Sequence, residues 1–447
     1  MSAETTSAPP DLRWKRLVGV FALTNTVAYG ALIQAFTVLL VPMSEALHAS
    51  RTEVAVAATI STLIGAFAAV PVGAMLDRYG GRLLMTAGSA IGVVAVLLWS
   101  QATALPPLYL AFVLVGLALA MSTYEAAFAV LVVVTDAAHR DGAIIAVTMI
   151  CGLATSFYYF LAGWLEGVLG WRQTLVVLAL ILAVVAVPAH LWAVPGRTAH
   201  SLRVTGLVGV PVGDALRTPG FWFLVVAFVA QSGVTSAFLL MMVTWFRDVG
   251  FSPTVAAALP IGVGVLQIAS RMGLAPLARR FGMAGVTAVS FAVQGAGLLV
   301  LPLAGTSLPL TLACVAAFGL GYGISVVARP SIVADTFGAA RFGSILALMT
   351  VPIALSRAGT PLAAAWIADW RFLVLLGAAC LLAALALLPV ARPRQHAPGA
   401  VCTQRPAQPM TSDVETPCSR AGSVATRRKR NGPEPWRFRP GQRVFRD

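Results

Sequence analysis

Twelve apolar runs, each long enough to cross about 30 Å of hydrocarbon as a helix, leave this chain very few folds. They cover approximately 16–42, 54–76, 83–103, 106–134, 143–169, 172–194, 220–246, 254–277, 284–304, 309–334, 344–367 and 371–391. A membrane-spanning barrel would show weak ten-residue alternation instead. Of the 447 residues 58% are hydrophobic and 11% charged, against about 25% charged in soluble domains. The expectation is an all-α protein of the lipid bilayer with twelve transmembrane helices. Arg13, Lys15 and Arg16 precede a first run much longer than the apolar part of a cleavable signal, so it reads as a span.

The net charge of +14 is unevenly spread: residues 392–447 hold 12 Lys+Arg against 4 Asp+Glu. On one side the loops between helices carry Arg78, Arg82, Arg140, Arg197, Arg203, Arg217, Arg279, Arg280 and Arg341; on the other, Arg51, Arg172, Arg247 and Arg371. Cytoplasmic loops are the basic ones. Both termini are therefore expected in the cytoplasm, with the chain in the inner (plasma) membrane. This pattern accounts for the charge without nucleic acid. The tail, with Arg427-Arg428-Lys429-Arg430, reads as disordered and suited to anionic headgroups. Cys151, Cys314, Cys380, Cys402 and Cys418 show neither metal nor disulfide spacing. No nucleophile with a base, phosphate loop or cofactor motif stands out, so neither an enzyme nor a cofactor is expected.

Between the second and third runs stands Gly73-Ala-Met-Leu-Asp77-Arg78-Tyr-Gly80-Gly81-Arg82, a turn only a tight hairpin can accommodate. Gly73 allows helices to approach closely; Gly80 and Gly81 offer positive dihedrals. Arg78 and Arg82 hold the turn on the inner side, and Asp77 suits a helix N-terminus, worth about 0.3–2 kcal/mol. The ten residues meet every position of Gly-x-x-x-Asp-Arg-x-Gly-Gly-Arg, and the chain resembles the major facilitator superfamily from residue 16 to 391. The resemblance implies two pseudo-symmetric six-helix bundles around a central cavity. It also implies a gate in which Asp77 meets helix 11 while the cytoplasmic mouth is shut.

An internal repeat divides the chain in the same way. Asp77-Arg78-Tyr-Gly80 corresponds to Arg279-Arg280-Phe-Gly282, Arg140-Asp-Gly142 to Arg341-Phe-Gly343, and Trp171-Arg172 to Trp370-Arg371, at offsets of 202, 201 and 199. The expected parts are an N-terminal tail 1–15, a bundle 16–194, a Pro-containing linker 195–219, a second bundle 220–391 and the basic tail 392–447. Arg279 replaces Asp77 in the second copy, so the acid latch exists once.

A charge at mid-bilayer costs at least about 2.5–3.5 kcal/mol and marks a functional candidate. Glu125, Arg271 and Arg357 stand in this position. Arg271 shares a helix face with Gln267 and Gly264, and Arg357 with Thr350 and Thr360; such stripes should line water. A guanidinium fork matches a carboxylate, which makes an organic anion the expected cargo. At 1.5 Å per residue Arg271 lies eight residues, about 12 Å, before Arg279, and Arg357 sixteen residues, about 24 Å, beyond Arg341, a difference that argues against a two-arginine clamp. Glu125 can carry a coupling proton, or it can form a structural ion pair. Glu166 and Arg329, nearer the faces, are expected to be structural. Asn25, Tyr29, Gln34, Tyr158, Tyr159, Gln231 and Tyr322 are candidate cavity residues, with Tyr29, Tyr158, Gln231 and Gln267 expected to touch substrate.

Ser50-Arg51-Thr52-Glu53, Gly170-Trp171-Arg172 and the arginines of helices 8 and 11 look like the monocarboxylate-transporter and oxalate/formate-antiporter branch. Helix 5 lacks the Gly-Pro pair of drug/proton antiporters. Helix 4 has Ala111 and Phe112 where many proton-coupled members carry an arginine. The sequence reading is a monomeric secondary transporter of a small organic anion, a proton symporter or an anion antiporter. An exporter of hydrophobic drugs and a transport-inactive sensor acting through the tail are the alternatives.

Overall fold

The computed structural model describes residues 10–196, 209–366 and 370–391. The basic tail, most of the N-terminal extension and part of the linker lie outside the described residues. Twelve helices are long and apolar enough to cross a membrane: α1 (Trp14–Ala46), α2 (Arg51–Tyr79), α3 (Gly81–Ser100), α4 (Leu105–Val134), α5 (Ala138–Leu169), α6 (Trp171–Ala193), α7 (Pro219–Val249), α8 (Thr254–Met272), α9 (Met283–Leu303), α10 (Leu308–Phe337), α11 (Phe342–Pro361) and α12 (Trp370–Ala391). The first six pack chiefly on one another and the last six likewise. The broadest contact across the seam is α2 on α11.

Local chemistry sets the ends of these helices. α2 begins with a capping box: Glu53 N donates to Ser50 Oγ (3.2 Å) and Ser50 N donates to Glu53 Oε2 (2.8 Å). Gly80 ends α2 at φ 78°, and Gly282, its partner in the repeat, has φ 76°. That region disfavours any residue with a Cβ. Gly81 differs from expectation. It has no positive φ, and it is required because an added Cβ would strike Val130 of α4.

Three departures from straight spans bear on function. Thr123 is extended and splits α4 into Leu105–Ser122 and Tyr124–Val134. Ser122 and Thr123 donate their hydroxyls to Ala118 and Leu119 carbonyls (2.8 and 2.6 Å), the local competition that bends helices. α1 contains a π-helical turn, Gly30–Gln34, with the Tyr158 ring filling the space beside Gly30. α8 was expected to reach residue 277 but stops at Met272, and a separate helix, Leu274–Phe281, follows. Pro276 cannot continue a helix through that point. The described part of the linker is pinned to the second lobe: Val210 N donates to Phe337 O at 2.9 Å.

Candidate functional site

The mouth at the Asp77 end is shut. Gly73 brings α2 so close to α11 that a Cβ there would lie 2.5 Å from Gly343 O and 2.8 Å from Ala347 Cβ. One turn on, Asp77 receives the first amides of α11. Gly343 N donates to Oδ1 (3.0 Å), and Ser344 donates both its N (2.8 Å) and its Oγ (2.6 Å) to Oδ2. A carboxylate capping a helix N-terminus combines charge-assisted bonds with the helix dipole. Gly343 and Ser344 were not singled out from the sequence as its partners. Arg82 Nε donates to Val194 O (2.7 Å), tying α3 to the end of α6 within the first lobe, and Arg78 is exposed above the Tyr79 ring.

The second seam uses arginines. Arg140 of α5 meets Asp335 of α10 at 3.8 Å, with the Asp335 side chain 56% exposed. A pair so open to solvent is worth little on its own. Deeper in, Arg271 of α8 donates from Nη1 to Thr148 O of α5 (3.0 Å) and from Nε to Gly323 O of α10 (3.1 Å).

Between the lobes lies a cavity of about 1210 Å³ whose lining includes Glu125, Arg271, Arg329 and Arg357. The break at Thr123 puts Glu125 in the first turn of the second α4 segment. Arg329 Nη2 donates to Glu125 Oε1 at 2.9 Å, joining α10 to α4. The pair agrees with a structural role for Arg329 and also puts that residue on the cavity wall. Its charge inside an apolar run was the available signal; its 204-residue separation from Glu125 hid the pairing.

Arg357 is exposed to the cavity, and its guanidinium has no hydrogen-bond or ion-pair partner among the described residues. Its backbone carbonyl accepts from Ser236 Oγ at 2.8 Å. The stripe expected on α11 is rotated. Ile353, Arg357 and Pro361 line the cavity, while Thr360 faces Gly233 of α7, and Ser356 Oγ donates to Val229 O (2.8 Å). The α8 stripe of Gly264, Gln267 and Arg271 is in place. Arg271 is buried, yet it borders the same cavity as Arg357, and its Nη2 donors have no acceptor among the described residues.

Tyr29, Gln34, Tyr159, Gln231 and Tyr322 also reach the lining. Gln231 is buried and largely committed, donating to Gln294 Oε1 at 2.8 Å. Tyr158 does not reach the cavity: it is 4% exposed and packs on the α1 π-turn. Asn25 is fully buried, its Nδ2 donating to Phe21 O at 2.8 Å. Tyr124 and Cys151, not expected from sequence, join the wall.

No curated protein sequence matches the chain significantly. Among solved structures, a variant of the E. coli fucose:proton symporter FucP is 13% identical, covers 85% of this chain and 98% of its own, and has a TM-score of 0.64. The proton:xylose symporter XylE bound to 6-bromo-6-deoxy-D-glucose is 14% identical, covering 84% and 95%, at 0.61. A bacterial homologue of the iron transporter ferroportin, in an outward-facing state with soaked iron, is 15% identical, covering 85% and 99%, at 0.67. At such identities the likeness is one of fold. The family model described as Major Facilitator Superfamily matches residues 21–350, and the chain belongs to that superfamily.

Proposed function

We propose that the chain moves a small organic anion, a carboxylate, by rocking of residues 16–194 against 220–391. The observation that carries this reading is Arg357, a guanidinium directed into the central cavity with no partner among the described residues. Isolated charge at membrane depth is costly, and a cavity that keeps one unpaired is prepared for an ion of opposite sign. A carboxylate can take both arms of the fork. The free Nη2 donors of Arg271 border the same space. Gln267 and Tyr29 add polar groups to the wall; Gln231, already bonded to Gln294, contributes its packing.

In this reading Glu125 carries the coupling proton, because protonating it removes one partner of the Glu125–Arg329 bridge and frees a second guanidinium. Exchange of one anion for another needs no such step and uses the same site. The protein works as a monomer in the plasma membrane, with the Asp77 end and both termini in the cytoplasm.

The test is counterflow in reconstituted vesicles against mono- and dicarboxylates and lipophilic cations, with and without a pH gradient. Arg357→Gln should abolish carboxylate counterflow at undiminished expression. Unaltered flux in that variant, or transport of the lipophilic cations alone, would remove Arg357 and the anion from the account.

A further inference from the structure

The two lobes line the cavity unequally. The last six spans supply the guanidinium groups of Arg271, Arg329 and Arg357. Rings come from both lobes, Phe228 and Tyr322 from the last six spans, but the clustered group belongs to the first six: Tyr29 and Tyr124 have centroids 4.9 Å apart, and Tyr124 stacks on Phe128 at 5.2 Å with 9° between planes. All three rings belong to the lining, and Tyr29 and Tyr124 are partly exposed. Glu125, the carboxyl that the first lobe adds among the described lining residues, is engaged by Arg329 and repels an anion.

A cargo drives a conformational change only through interactions that differ between the states. An anion without a body would hold to the arginine lobe and gain little from closure onto the other. The cavity, at about 1210 Å³, also exceeds the roughly 300–1,000 Å³ usual for small-molecule pockets, so an acid of two or three carbons would leave one wall untouched. Tyr29, Tyr124 and Arg357 line the same cavity, so the ring wall and the guanidinium face one shared space.

We propose that the cargo is an aromatic carboxylate, its ring laid against Tyr29 and Tyr124 and its carboxylate on Arg357. The proposal rests on the anion reading above and narrows it. Ring-on-ring contact adds about 2- to 13-fold in affinity beyond what burial of an equal apolar area gives. A saturated ring of similar size is therefore the control.

The experiment is calorimetric binding of benzoate, cyclohexanecarboxylate and acetate to the full chain in lipid nanodiscs. Benzoate should bind about 2- to 13-fold tighter than cyclohexanecarboxylate, and acetate more weakly than either. Tyr124→Leu should bring the benzoate-to-cyclohexanecarboxylate ratio close to one, and Arg357→Gln should weaken all three. Equal affinity for the two rings in the unaltered protein, with sensitivity to Arg357→Gln retained, overturns the aromatic assignment and leaves the anion reading standing. Binding of none of the three acids, or binding indifferent to Arg357→Gln, overturns both.

Discussion

Replacing Gly73 by Ala should open the mouth that the structure holds shut. The new Cβ would sit 2.5 Å from Gly343 O and 2.8 Å from Ala347 Cβ, short by about 1 Å of comfortable contact. Neither neighbour is the end of a flexible side chain, so α2 and α11 must separate, and the three bonds to Asp77 one turn away must lengthen. Overpacking of this kind costs about 1–3 kcal/mol. The cost falls on the closed conformer alone, since the two helices part when the mouth opens. The gain of about 1 kcal/mol in helix propensity from Gly to Ala applies to both conformers and cancels. The equilibrium should therefore move toward opening by about 5- to 160-fold.

The assay is accessibility of a cysteine placed at Ser232, which lines the cavity, after replacement of the five native cysteines. A membrane-impermeant thiol reagent is applied to oriented vesicles from each side. Labelling from the Asp77 side should accelerate in the Gly73→Ala protein, and labelling from the far side should slow. A folded variant with unchanged labelling from both sides would refute the reasoning, because it would mean that the close approach of α2 to α11 does not limit opening.

Asp77→Asn keeps the size of the side chain but points an amide N–H₂ at backbone donors, forfeiting charge-assisted bonds worth about 1.5–3 kcal/mol each. Transport should slow with cargo affinity unchanged, and an unaltered turnover rate in vesicles would contradict the latch. Glu125→Gln breaks the bridge to Arg329 without emptying the space. Anion exchange should persist while accumulation driven by a pH gradient disappears; continued pH-driven accumulation would exclude Glu125 as the proton carrier.

Much of this was legible in the sequence because the bilayer enforces it. An apolar run must be a helix there, since nothing in hydrocarbon satisfies an open backbone, and the spans and the six-plus-six division followed. Asp77 and Gly73 were legible because few side chains allow a two-helix approach at a tight turn. What escaped depends on rotation and on distant pairing. A small rotation of α11 about Arg357 replaced Thr350 and Thr360 by Ile353 and Pro361 in the wetted stripe. Tyr158 and Tyr159 are neighbours on α5, yet only Tyr159 reaches the lining. The α4 break arises from hydroxyls at Ser122 and Thr123 that serve equally well in an unbroken helix, so hydrophobic periodicity could not reveal it. The Arg329–Glu125 pair was hidden because its partners stand on different lobes, 204 residues apart.

The two seams that close the Asp77 end are not alike, although a repeat generates both. Along one, backbone lies on backbone through Gly73 and Gly343, bolted by a single acid. Along the other, long arginine side chains reach across to a carbonyl and to a half-solvated aspartate. A seam of interlocked backbone must release all at once, whereas flexible side chains can stretch and let water in ahead of separation. The lobes should accordingly part obliquely, gaping first along α5 and letting go of the α2–α11 edge last, as a zip opens from one end.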